Sequence, residues 1–269
     1  MYMKQISTKE LMKLQLDILI SVDDFCTRNG IQYSLGYGTL IGAIRHKGYI
    51  PWDDDIDIVM TRGNYDKFIN SFNGFSDKLY VVAPELNWNY YAPYANVCDN
   101  RTILYEGDNG HNGIEVGVKI DIFPIDATSS DDIDNKRVKN RILRLNNILR
   151  AKRYCLGNLN TRAKLRLLAY RFLFYFRSYS SVQKKIRILA LSYRDTEYEY
   201  VDNLVFYPKT IQTPKSYFDK YIDVDFEGYK FKSIKNYDIY LRQIYGDYMK
   251  LPPIEQRVPH HGFTAYWKD

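Results

Sequence analysis

Apolar residues recur along the chain with two periods, and each change of period marks a new element. Leu11, Leu14, Ile18, Val22 and Phe25 fall at helical spacing. They follow Ser7-Thr8-Lys9-Glu10, a capping box whose hydroxyl and carboxylate satisfy the first orphan amides, and they stop at Asn29-Gly30. The pattern predicts a helix over 7–29. Residues 31–35 read as a short strand running into Gly36-Tyr37-Gly38-Thr39, then a short helix over 40–46 and a turn at 48–51. From 55 to 60 the order Asp-Ile-Asp-Ile-Val-Met alternates with period two, which predicts a strand with one polar and one core face. Residues 62–72 read as a helix, 79–83 and 94–105 as strands, and 118–123 as another alternating strand stopped by Pro124. Roughly 131–200 reads as two or three helices, broken near Gly157-Asn158 and between Ser178 and Ser181. Residues 221–226 and 229–231 flank Glu227-Gly228 as a hairpin. A helix over 236–245 ends at Gly246, and an irregular tail runs from 251 to 269.

This order of elements predicts an α/β (α+β) fold. The expected organisation is a catalytic core over 1–130, a helical insert over 131–205, and a C-terminal segment over 206–269 that returns to the core. With 269 residues, 45% of them hydrophobic and 26% charged, the chain is globular, neither disordered nor fibrous. Cys26, Cys98 and Cys155 are too far apart for a disulfide framework or a cysteine zinc motif. The N-terminus lacks a signal peptide's apolar region, and no apolar run is long enough to span a bilayer, so a cytoplasmic location is expected. The net charge of +6 conceals an asymmetry. Residues 136–194 hold 6 Lys and 11 Arg with no Asp or Glu, whereas the rest holds 21 basic and 32 acidic residues. Such an imbalance bears on partners and not on fold.

The candidate chemistry lies in Trp52-Asp53-Asp54-Asp55-Ile56-Asp57. On a strand, Asp55 and Asp57 project from one face about 7 Å apart, and Asp53 joins them if the strand reaches back. Like charges so close call for a cation, and carboxylate oxygens suit Mg²⁺ or Mn²⁺, which in turn neutralise phosphate oxygens. Asp54 points the other way. A calcium EF-hand is excluded, because its invariant glycine and glutamate positions are Ile58 and Asn64. Gly36, Gly38 and Thr39 form a turn into a helix N-terminus, which presents amides to an anion. Asp121, between Ile120 and Ile122 on its own strand, is a fourth acidic candidate, either as a metal ligand or as the base for an attacking hydroxyl. Asp126 reads as a helix cap.

Several stretches together resemble the LicD family. They are the run from Leu35-Gly36-Tyr37-Gly38-Thr39 to Arg45-His46, Pro51-Trp52-Asp53-Asp54-Asp55-Ile56-Asp57, Ile120-Asp121-Ile122-Phe123-Pro124, Tyr245-Gly246-Asp247-Tyr248, and the ending from His260-His261 to Trp267-Lys268. The resemblance implies a nucleotidyltransferase-like fold with a mixed sheet. It also implies metal-dependent transfer of phosphocholine from CDP-choline to a sugar hydroxyl of teichoic acid or another bacterial surface-glycan precursor. It assigns Asp53, Asp55, Asp57 and Asp121 to the metal, and Gly36, Gly38 and Thr39 to the nucleotide. Fukutin-type relatives transfer ribitol phosphate, and their zinc site is not carried over to a chain with three cysteines.

Arg45 and His46 either reach phosphate or complement the helix dipole. His260 and His261 are catalytic or phosphate-binding candidates, alongside Asp121, Asp55 and Asp57. A choline ammonium calls for an aromatic cage, for which Trp52, Trp88, Tyr90, Tyr91, Tyr266 and Trp267 are candidates. The basic block, with apolar residues interleaved over 165–177, points to an anionic membrane surface and a lipid-linked acceptor, with peripheral attachment at the inner face of the cell membrane. No nucleic-acid partner is expected. Two other readings stay open: nucleotidyl transfer from the same acidic site, and a non-catalytic membrane adaptor.

Overall fold

The computed structural model describes residues 4–106, 116–153, 160–207, 209–258 and 263–268. The first part of the chain runs β1 (Gln5–Ile6), α1 (Thr8–Asn29), β2 (Ser34–Leu35), α2 (Tyr37–Arg45), β3 (Asp57–Thr61), α3 (Arg62–Ser71), β4 (Leu79–Val82), β5 (Ala95–Asp99), β6 (Thr102–Glu106) and β7 (Lys119–Thr128). Then come α4 (Asp132–Arg153), α5 (Thr161–Leu173) and α6 (Tyr179–Ala190). The chain closes with β8 (Tyr200–Asp202), β9 (Thr213–Pro214), the hairpin β10 (Tyr221–Phe226) and β11 (Tyr229–Ile234), α7 (Tyr237–Tyr245) and β12 (Phe263–Trp267). The class is mixed α/β, as predicted. No helix among the described residues is long and apolar enough to cross a membrane.

The Ser7 hydroxyl accepts the Glu10 amide at the start of α1, and Gly30 takes the left-handed conformation that caps its end. The central sheet is ordered β2-β3-β7-β5-β4, with β8 and β9 continuing from β7. Its neighbours are antiparallel except β3 and β7, which run parallel with Asp57 opposite Asp121. Helices α1 and α3 pack on the sheet and on each other, where Phe25 meets Phe68 and Phe72 edge-on. The core of α1 is the apolar stripe read from its spacing.

Several boundaries differ from the predicted ones. Strand β3 begins at Asp57, because 51–52 are held in a turn and the Asp53 amide donates to the Ile50 carbonyl. Strand β7 does not stop at Pro124. The Asp121 amide donates to the Ile56 carbonyl, so odd-numbered β7 amides point to β3 and even-numbered ones point away. Pro124 faces the gap between the end of the β5 ladder and the start of the β8 ladder, where no amide is required. The 94–105 stretch splits at a turn into β5 and β6, which belong to different sheets, and the Thr102 hydroxyl donating to the Asp99 carbonyl fixes that turn. The tail is not irregular throughout. Its β12 lies between β1 and β6.

Asp126 is not a helix cap. It sits on β7, fully buried, and accepts from Arg62 Nε at 2.7 Å and Nη2 at 3.0 Å. Burial alone would lower the Arg62 pKa, but Asp126 carries it well above the ordinary value. The basic block forms three helices, as its upper count predicted. The first predicted break falls outside the described residues, and the second is the Ser178 cap of α6.

Candidate active site

A cleft of about 640 Å³ opens over the ends of β3 and β7, and Asp53, Asp55, Asp57 and Asp121 line it together. Asp57 and Asp121 are neighbours through the parallel register. Asp53 and Asp55 arrive on the irregular segment before β3, not on the strand itself. Carboxylate oxygens of Asp53, Asp54 and Asp55 lie within 4.8 Å of one another, a spacing that one cation can span. Asp54 is buried and also borders a separate hollow beside Ser7, Leu11 and Phe263, whereas Asp53 and Asp55 line the cleft. The Asp53 carboxylate rests on the first turn of α2. A Cβ on Gly38 would come within 2.5 Å of its Oδ2, and only glycine leaves that cradle open. All these donors are hard oxygens, the set that Mg²⁺ or Mn²⁺ takes. The residues therefore fit the cation the sequence implies.

The turn before α2 is shaped around this acidic group. The Gly36 amide donates to the Asp57 carbonyl at 2.9 Å, and the Thr39 hydroxyl accepts the Asp57 amide at 2.8 Å. Thr39 is buried and positions Asp57. Tyr37 has a φ of +43°, a left-handed conformation that strains any non-glycine residue. Its ring stacks on Tyr207 at 5.7 Å, and its hydroxyl accepts from Asn203 at 2.6 Å, so tertiary contacts hold it there.

Asp121 is held from two sides. Lys119 Nζ donates to its Oδ1 at 2.6 Å, and the Asn96 amide donates to the same oxygen. Asn96 in turn accepts from the hydroxyl of Tyr90. Neither Lys119 nor Asn96 was singled out from sequence. The alternation of β7 places Lys119 on the face of Asp121, but the register of β5 against β7 alone brings Asn96 opposite.

The basic insert also contributes to the cleft: Asn146, Leu149, Arg150 and Arg153 of α4 line it together with the aspartates. The Arg153 guanidinium lies 3.8 Å from the centre of the Tyr91 ring. Gln183 of α6 donates to the carbonyls of Tyr90 and Ala92, which pins the segment carrying Tyr91 and Tyr94. Tyr94, Phe123 and Phe206 pack with ring centres 4.4–5.2 Å apart and give the cleft an aromatic flank. Tyr245 completes it from α7. Although 41% of this residue is exposed, burial of its hydroxyl, followed by Tyr207 and Asp57, holds its pKa well above the ordinary value. It stays a hydrogen-bond donor across the neutral range.

Of the six predicted cage aromatics, Trp52 and Tyr91 line the cleft. Arg257 lies 5.4 Å from the centre of the Trp52 ring. Tyr90 is fully buried and committed to Asn96, and Trp88 lies beside Lys184. Tyr266 and Trp267 are strand residues of β12, where the Trp267 indole donates to Glu10. Arg45 and His46 are not among the residues lining the cleft. Arg45 donates to the carbonyl of Tyr248 at 2.5 Å and to His46 Nε2 at 2.9 Å, tying the C-terminal segment to α2. Burial and then Arg45 lower the His46 pKa, so its imidazole stays neutral. His260 and His261 lie outside the described residues.

Residues 30–143 match the family described as LicD/FKTN/FKRP, nucleotidyltransferase domain. The chain is 35% identical over 274 residues to the lipopolysaccharide cholinephosphotransferase LicD of Haemophilus influenzae, covering 98% of this chain and 99% of that one. An uncharacterised protein of Rickettsia typhi is 43% identical over 54 residues, which span 20% of this chain and 17% of the relative. With such identity across nearly the whole of both chains, this protein belongs to the LicD family and is a transferase.

Proposed function

We propose that the protein transfers phosphocholine from CDP-choline to a sugar hydroxyl of lipopolysaccharide or a related surface glycan. One observation carries the reading: a single cleft is lined by four carboxylates, two arginines and a set of aromatic rings, in a chain resembling a named cholinephosphotransferase from end to end. Arg150 and Arg153 are suited to grip the diphosphate, because guanidinium groups pair with phosphate oxygens in a bidentate fork. The flank formed by Tyr94, Phe123 and Phe206 gives the quaternary ammonium aromatic faces, each contact worth roughly 0.5–2 kcal/mol. A divalent cation held by Asp53, Asp55 and Asp57 would neutralise the charge that develops on the phosphates. Asp121, oriented by Lys119 and Asn96, takes the proton of the attacking hydroxyl. The sugar oxygen bonds to the choline-bearing phosphorus as the bridging P–O bond breaks, and CMP leaves with that electron pair.

The test is to incubate the protein with CDP-choline, Mg²⁺ and a lipopolysaccharide acceptor, following CMP by chromatography and choline on the glycan by mass spectrometry. Both products are expected in equal amounts, and chelation of the cation should stop their formation. Asp57→Asn should lower turnover about 10²–10⁴-fold while leaving the thermal melt in place. Nucleotide on the acceptor in place of phosphocholine, or undiminished turnover of the variant, would refute the proposal.

A further inference from the structure

A surface helix normally turns its apolar stripe to the core. Helix α5 does so only in part: Tyr170, with Phe174 at its end, packs against the core of the insert, but none of its residues is fully buried. Leu165, Leu168, Phe172 and Leu173 stand exposed along it, and Phe176 follows just beyond. Phe172 is 84% exposed and Phe176 97%. Arg162, Lys164, Arg166 and Arg177 are interleaved with these residues along the chain, and no acidic residue occurs anywhere from 136 to 194. The helix is nonetheless anchored, since Arg171 Nε donates to the Ala151 carbonyl at the end of α4.

Beside it, α4, α5 and α6 frame a groove of about 250 Å³. Its floor is apolar, with Leu145, Ile148, Tyr170, Phe174 and Leu189, and its rim carries Arg141, Arg144, Arg177 and Lys185. Helix α4 serves both cavities. One stripe, with Asn146, Leu149, Arg150 and Arg153, faces the catalytic cleft, and the adjacent stripe, with Arg141, Arg144, Leu145 and Ile148, faces the groove.

Charge and apolarity together select the occupant. A second copy docked through the same face would bring +17 against +17. A nucleic acid would match the charge and could stack on Phe172 and Phe176, but it offers no apolar partner to Leu165, Leu168 and Leu173, which stand exposed on the same helix. A phospholipid leaflet supplies both phosphate and hydrocarbon at this spacing. We propose that this face docks on an anionic membrane surface, with the α5 apolar side chains entering the acyl boundary and the rim cations taking lipid phosphates. An acceptor embedded in that leaflet would then sit one helix away from the catalytic cleft.

The test is sedimentation of the full-length protein with vesicles of phosphatidylcholine alone or mixed with phosphatidylglycerol, at low and high salt. Binding is expected to the mixed vesicles only and to weaken with salt. Phe172→Ser with Phe176→Ser should lower partitioning at least ~tenfold with no change in thermal melt, since both rings are exposed. Arg141→Gln with Arg144→Gln should lower it and flatten the salt dependence. Failure to bind anionic vesicles at low salt would overturn the proposal. So would vesicle binding that ignores the phenylalanine pair and is competed away by RNA, or a dimer that the pair dissolves in a protein that does not bind vesicles. Because the assay needs no substrate, its failure would be distinct from failure of the transfer reaction.

Discussion

A Cβ at position 38 would lie 2.5 Å from Asp53 Oδ2, nearer than carbon and oxygen approach in real structures. The carboxylate is the far end of a flexible side chain, so Gly38→Ala should displace Asp53 without disturbing α2. A shift of that size at a proposed metal ligand is expected to lower turnover about 100-fold. Steady-state rates measured beside a thermal melt check this, and full activity would show that Asp53 is dispensable. The same scale decides the role of Thr39. Its hydroxyl is turned to the Asp57 amide, so it orients the acidic segment. Arg45 is likewise engaged with the carbonyl of Tyr248, where it closes the C-terminal segment onto α2. The residue types were readable from the chain, but the partners of their polar atoms were not.

At the scale of elements, the β3–β7 pair sets the site. Parallel pairing puts Asp57 beside Asp121 and carries Asp126 into the sheet under Arg62. Removing Asp126 leaves the buried Arg62 guanidinium only its longer contacts to Glu85 at 3.3 Å and Asp66 at 3.6 Å, so Asp126→Ala should destabilise the fold by about 3 kcal/mol. Replacing both members with apolar residues should destabilise it far less. Chemical denaturation of the two variants tests the difference, and equal losses would contradict it. The β10–β11 hairpin, predicted from Glu227-Gly228, has a further use. Glu227 Oε1 accepts the Tyr49 amide at 3.0 Å, and its own amide donates to the Lys47 carbonyl. The hairpin thus braces the turn that delivers the acidic run.

At the scale of the whole molecule, the basic insert is part of the site. Buried Lys139 pairs with Asp202 at 2.9 Å, and Arg187 bonds with Glu85, so α4 and α6 are bolted to the sheet. Arg150 and Arg153 thereby reach the cleft. On the proposed reaction, replacing both with alanine should raise KM for CDP-choline at least ~tenfold, because the two proposed cationic contacts to phosphate would be lost. The exposed pair Arg141 and Arg144 should leave that constant unchanged in a soluble assay. Donor-saturation curves for the two double variants make the comparison, and equal effects would remove the insert from the donor site.

What the sequence by itself determined was local. Periodicity marked α1, α3 and the hairpin; the Asp53-Asp54-Asp55-Ile56-Asp57 run announced an acidic site; charge counting delimited the basic insert. These features depend on neighbours a few residues apart, where spacing fixes which side chains share a face. Only the tertiary structure decided that Asp121 stands beside Asp57, that Lys119 and Asn96 hold it, and that α4 supplies arginines to the same cleft. Strand register and helix docking join residues far apart in the chain, and they follow from the fit of whole faces, which no local pattern contains.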